Sequence, residues 1–239
     1  MKPAFYALPS GGWRDYVTLL HPPYTLWHLS YVTLGACLAP TVHANRLLWT
    51  LAAFALALGI AAHALDELHG RPLATRISDR VLWALAGASL AGAVAIGVGA
   101  AVFWTPWLLA FVAFGAFIVY AYNLELFGGR FHGDWWFAIA WGAFPLLTAY
   151  VAQAERLRVE AVLAAAGAAL LSLAQRQLST QVRTVRRQVE RLEGTVTFRD
   201  GESRPVTAAL LMGAPETALR SLTAAVIALA TSLVVLRFG

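Results

Sequence analysis

Length and composition put this chain in a membrane: its 239 residues are 59% hydrophobic and only 13% charged, with a mean hydropathy of +0.62. Several apolar runs approach the ~20 residues that cross a bilayer. The net charge of +5 is spread through loops that flank those runs, which attraction to anionic membrane lipid explains more simply than nucleic acid, and no nucleic-acid partner is expected. The one cysteine, Cys37, lies within an apolar run, so an intrachain disulfide and a cysteine-based zinc site are both excluded. The expected class is all-α, a polytopic transmembrane helical bundle forming a single integral membrane domain over 1–239.

In chain order, the amino-terminal stretch to Tyr24 lacks the apolar core of a cleaved signal, so the first span is expected to act as its own insertion signal. Spans are expected at 24–41, 47–66, 81–102, 103–122, 135–152, 159–174 and 218–236, seven in all. The third and fourth form one apolar stretch too long for a single crossing, and Trp104-Thr105-Pro106-Trp107 supplies the turn between them. Residues 175–217 read as a cytoplasmic basic amphipathic insertion. It holds a surface helix with Val182, Val185, Val189 and Leu192 on one face, a strand-like turn around Asp200-Gly201, and an apolar piece too short to span, expected to be interfacial or packed on the bundle.

With these spans, 14 of the 18 basic residues fall on the side of the N-terminus, and Arg46, Arg156, Arg158 and Arg237 fall on the other. The positive-inside rule then puts the N-terminus in the cytoplasm and the C-terminus outside, in what reads as a prokaryotic inner membrane.

The polar residues gather on the basic side, and ionisable groups beside hydrocarbon are functional by default. Where the second span ends, His63, Asp66 and Glu67 share a helix face at spacings of three and four, followed by His69 and Arg71. Between the fourth and fifth spans lie Tyr122, Asn123, Glu125, Arg130, His132 and Asp134, with Gly128-Gly129 permitting a tight turn. His21 and His28 open the first span, and His43 sits on the far side. Carboxylates with imidazoles suit a divalent metal, magnesium or manganese by the former and iron or zinc by the latter. His28, His63, Asp66, Glu67, His69, Glu125, His132 and Asp134 are the candidate ligands.

The order of these elements, over roughly 20–175, resembles the UbiA-type membrane prenyltransferase superfamily. The family's first aspartate-rich motif, Asn-Asp-x-x-Asp-x-x-x-Asp with a later Arg-Pro-Leu, is similar to His63-Ala-Leu-Asp66-Glu67-Leu-His69-Gly-Arg71-Pro72-Leu73. Its Tyr-x-x-x-Lys-Arg pattern is similar to Tyr122-Asn-Leu-Glu125. The resemblance implies a prenyl group transferred from an isoprenoid diphosphate to a lipophilic acceptor with divalent-metal help. Asp66, Glu67 and Glu125 would be catalytic, and Arg71, Tyr122, Asn123, Arg130 and Arg176 would bind substrate. The family's second aspartate-rich motif is replaced by Gln175-Arg176-Gln177, which implies direct diphosphate binding with fewer metals or another substrate. The alternative is a membrane metalloenzyme or metal-binding protein with a histidine–carboxylate site on the same scaffold.

Overall fold

The computed structural model describes residues 3–239, so Lys2, counted above on the basic side, lies outside the described residues. The described chain is helical apart from one short hairpin. After a brief α1 (Trp13–Leu19) come seven rods: α2 (Pro22–Leu38), α3 (Ala44–Leu68), α4 (Asp79–Phe103), α5 (Leu108–Asn123), α6 (Asp134–Ala154), α7 (Val159–Arg187) and α8 (Ala208–Phe238). The hairpin pairs β1 (Thr195–Thr197) with β2 (Ser203–Pro205) in antiparallel register around Asp200-Gly201, where the sequence expects a turn. Five rods, α3, α4, α6, α7 and α8, are long and apolar enough to cross a membrane.

Local sequence explains where the rods begin and end. Pro22 and Pro23 open α2, where a missing N–H costs nothing. Thr207 caps α8 by accepting from the Leu210 N–H at 3.2 Å. Glu155 ends α6 in the left-handed conformation. The short 104–107 link turns α4 back along α5, as expected of its Thr-Pro pair.

Successive rods alternate in direction. At one end, Arg46 at the start of α3 bonds the carbonyl of Ala152 in α6, and Arg237 of α8 bonds the carbonyls of Cys37 and Ala39 behind α2. At the other, Arg187 at the end of α7 bonds the Pro3 carbonyl. The two ends of the described chain therefore lie on opposite faces.

Two boundaries differ from expectation. The stretch 175–217 is largely the extended ends of two rods: α7 continues unbroken to Arg187, and α8 begins at Ala208 and runs through Pro215. The reason is packing. Val182 and Val185 are buried against Met212 and Leu219 of α8, so the first half of the stripe read as a surface helix is an inter-rod seam. Val189 and Leu192 lie beyond the end of α7, with Leu192 packed on the same cluster and Val189 exposed. The short apolar piece is the start of the last rod.

Small residues set the spacing of the central rods. A Cβ on Gly35 of α2 would lie 2.1 Å from the Leu146 carbonyl oxygen of α6, and one on Gly142 of α6 would lie 2.7 Å from the Ala168 carbonyl oxygen of α7. In lipid, where burying hydrocarbon gives no driving force between helices, such backbone contact supplies dispersion that bulkier residues would forfeit. Gly35→Ala is expected to lower stability by at least ~1–3 kcal/mol through forced separation of α2 and α6. Thermal unfolding in detergent checks this, and an unchanged midpoint would mean that the rods part freely.

Candidate functional site

Six rods, α8 among them through Leu219, and the amino-terminal segment line a polar cavity of about 130 Å³ on the basic face. His21, Tyr24 and His28 contribute from α2 and its cap, His63 and Asp66 from α3, Tyr122 and Asn123 from α5, Phe137 and Trp141 from α6. Helix α7 contributes Gln175, Arg176, Ser179, Arg183, Arg186 and Arg187, and Pro3–Tyr6 cross the mouth. The α7 residues recur at three- and four-residue steps, so one helix face lines the cavity from floor to mouth.

Two imidazoles are fixed from behind. His28 Nδ1 lies 2.8 Å from the Trp141 carbonyl and His63 Nδ1 lies 3.1 Å from the Gly59 carbonyl. A carbonyl only accepts, so each Nδ1 carries a proton. Both carbonyls belong to π-helical turns, Ala55–Ala62 in α3 and Ala138–Ala143 in α6. The wider spacing of such turns displaces the usual backbone partners, and π-turns concentrate at functional sites for that reason.

Nearer the mouth, the rings of His21 and His63 stack at 4.2 Å, and the Tyr6 hydroxyl lies 2.7 Å from His21 Nδ1. Burial, followed by the His63 ring and then Arg187 and Arg183, holds His21 well below the ordinary imidazole value. Burial likewise pushes the Tyr6 hydroxyl up. Both groups are thus neutral at physiological pH. His21 Nε2 and Gln175 Oε1 are buried without a hydrogen-bond partner among the described residues.

The residues expected from sequence divide into three groups. His28, His63, Asp66, Tyr122, Asn123 and Arg176 meet in the cavity. His69, Glu125 and His132 form a rim outside its lining: Glu125 Oε1 is 3.7 Å from His69 Nε2 and 3.9 Å from His132 Nε2. The rim is joined to the cavity by His132, whose ring stacks on Tyr122 at 4.4 Å. Gly128 and Gly129, both at positive φ, make the turn that closes this group. Asp134 pairs with Arg176 and accepts from Gln177.

The remaining three lie away from the cavity. Glu67 is fully buried, and its carboxylate accepts from Leu73 N, Thr75 N and Thr75 Oγ1 at 2.8–2.9 Å, so it holds the 69–78 loop instead of facing a ligand. Arg71 bonds the Ile77 carbonyl in the same loop and Asp79 at the start of α4. Arg130 is exposed on the 124–133 loop. Asp66 is consequently the one carboxylate in the cavity lining, and it stands opposite four arginines. Among the described residues no three histidine, cysteine or acidic groups are gathered as metal ligands. This donor set does not fit the divalent metal, whether magnesium, manganese, iron or zinc, expected from sequence.

Sequence reading missed Tyr6, Tyr24, Gln175, Arg183, Arg186 and Arg187 as parts of the site. The signal was present in the α7 pattern, where polar residues recur on one face beyond the apolar run. A second cavity, about 90 Å³ between α3, α4, α5 and α6, is apolar apart from Thr50 and Thr148 at its edge. Protein-family models, curated proteins and solved structures contain no match to this chain.

Glu67→Ala is expected to cost roughly 2–5 kcal/mol, since it strands three buried donors. Asp66→Asn, at a half-buried side chain in the cavity wall, is expected to leave the thermal midpoint unchanged. Equal midpoints for Glu67→Ala and the parent chain would refute the role of Glu67 in holding the loop.

Proposed function

We propose that the chain is a prokaryotic inner-membrane enzyme on a UbiA-like, seven-span scaffold, transferring a prenyl group from an isoprenoid diphosphate to a lipophilic acceptor. The observation that carries this reading is a cavity with a cationic mouth and an aromatic interior, set in a lipid-facing bundle. A ligand with an anionic head and an apolar chain matches both halves.

In the reaction the allylic C–O bond breaks, and its electron pair leaves with the diphosphate. Guanidinium groups at the mouth stabilise that charge as it develops. The faces of Tyr122, Phe137 and Trp141 favour the allylic cation left behind, and the amino-terminal segment keeps water from it. The acceptor forms the new bond to the allylic carbon and loses a proton, with Asp66 or Nε2 of His63 as the base. Gln175 Oε1, without a partner among the described residues, would accept a hydrogen bond from the acceptor's hydroxyl.

The positive-inside rule supports a cytoplasmic mouth, with the N-terminus inside and the C-terminus outside. A reporter fused after Gly239 is expected outside the cell and one inserted at Asp200 inside. Both on one side would break the seven-span arrangement.

Transfer is tested in liposomes with a labelled isoprenoid diphosphate and extracted membrane lipid. The expected result is a prenylated lipid and one diphosphate released per transfer, slowed about 100-fold or more in an Asp66→Ala, His63→Ala double variant. Absence of product across isoprenoid chain lengths would refute the assignment.

A further inference from the structure

The four cavity arginines are not equivalent. Arg176 is paired with Asp134 and with the Tyr122 hydroxyl, and Arg186 is paired with Glu216. Arg183 and Arg187 have no carboxylate partner among the described residues. Their polar contacts are Thr180 Oγ1 at 3.1 Å for Arg183 and the Pro3 carbonyl at 3.3 Å for Arg187.

These two cations sit one turn apart on the same face of α7, at a spacing where like charges destabilise a helix. Both turn toward a partly desolvated cavity whose lining offers the single carboxylate Asp66. Glu67, the other acid of that helix end, is consumed by the 69–78 loop. A divalent cation entering here would meet guanidinium groups on one side and one carboxylate on the other. An anion meets the reverse: two planar forks of N–H donors whose geometry matches phosphate oxygens. The floor of the cavity, with Phe137 and Trp141, is where an apolar tail would follow.

We propose that the cavity binds an amphiphilic phosphate or diphosphate ester through Arg183 and Arg187 without a bridging metal ion. This rests on the cavity being a head-group site, and it assigns the neutralising charge to the protein itself. Arg176 and Arg186, already paired, hold the wall in position.

The test uses the full chain purified in detergent, with farnesyl diphosphate as the probe and binding measured by calorimetry in excess EDTA and in excess magnesium. Affinity is expected to agree within about threefold between the two conditions, and inorganic diphosphate should compete. Arg183→Gln and Arg187→Gln are each expected to weaken binding roughly tenfold or more, and Arg187→Lys by less than Arg187→Gln, since charge is retained. Both arginines are exposed on their outer sides, so the variants should fold, and an unchanged thermal midpoint checks this.

Binding seen only with magnesium or manganese would overturn the proposal, as would a double glutamine variant that binds like the parent. Metal-dependent prenyl transfer without binding in EDTA would do the same while leaving the transferase reading intact. Metal-free binding in which phosphatidylglycerol nanodiscs displace the probe completely, with no transfer product, would sustain this proposal with a lipid head group as ligand and remove the transferase reading.

Discussion

The backbone contact of α2 with α6 governs the geometry of the cavity. Because Gly35 presents no side chain to the Leu146 carbonyl, the two rods come together, and the same seam brings His28 Nδ1 to the Trp141 carbonyl. Gly142 then admits α7 against α6, which carries Gln175 and Arg176 to the cavity floor. The π-helical turns belong to this arrangement. They hold the Gly59 and Trp141 carbonyls that orient two imidazoles.

Charge in this region is sorted by use. Glu67 and Asp15 are buried and spend their carboxylates on backbone N–H groups, Glu67 on Leu73 and Thr75, Asp15 on Gly11 and Arg76. Asp134 and Glu216 each take an arginine. Glu67 and Asp15 are buried, where a carboxylate without donors would be costly, so each is tied to backbone N–H groups. The residual pattern is a cavity with more unassigned positive than negative charge, edged by neutral histidines and tyrosines. Such a field favours an anion and disfavours a free metal ion, and the prenyl-transfer reading inherits that polarity.

The amino-terminal segment completes the enclosure. Tyr6 reaches His21, Phe5 packs under the Arg220 guanidinium at 4.8 Å, and Ala4 and Ala7 cluster with Leu73 of the loop that Glu67 holds. A loop staple and a cavity cover are thereby linked, so the acid that looked catalytic in sequence acts on the site through the position of its neighbours.

Much of this was legible in the chain alone. Hydrophobic runs defined seven rods to within a few residues at most ends, because a helix is the local solution for backbone groups denied water. The basic-face clustering of His63, Asp66, Tyr122, Asn123 and Arg176 followed from rod alternation, and the Gly128-Gly129 turn from the freedom of glycine. Three things needed the tertiary structure. Glu67 and Asp66 are adjacent and chemically alike, and only the fold of the 69–78 loop turns one toward backbone donors and the other toward the cavity. The stripe of Val182 and Val185 is the same whether it rests on a lipid surface or on α8, and only the partner's position distinguishes a surface helix from a rod end. The separation of paired from unpaired arginines depends on Asp134 and Glu216, which lie 42 and 30 residues away in the chain. Periodicity and composition encode what a segment does by itself, whereas the partner of a charge is set by which distant segment arrives beside it.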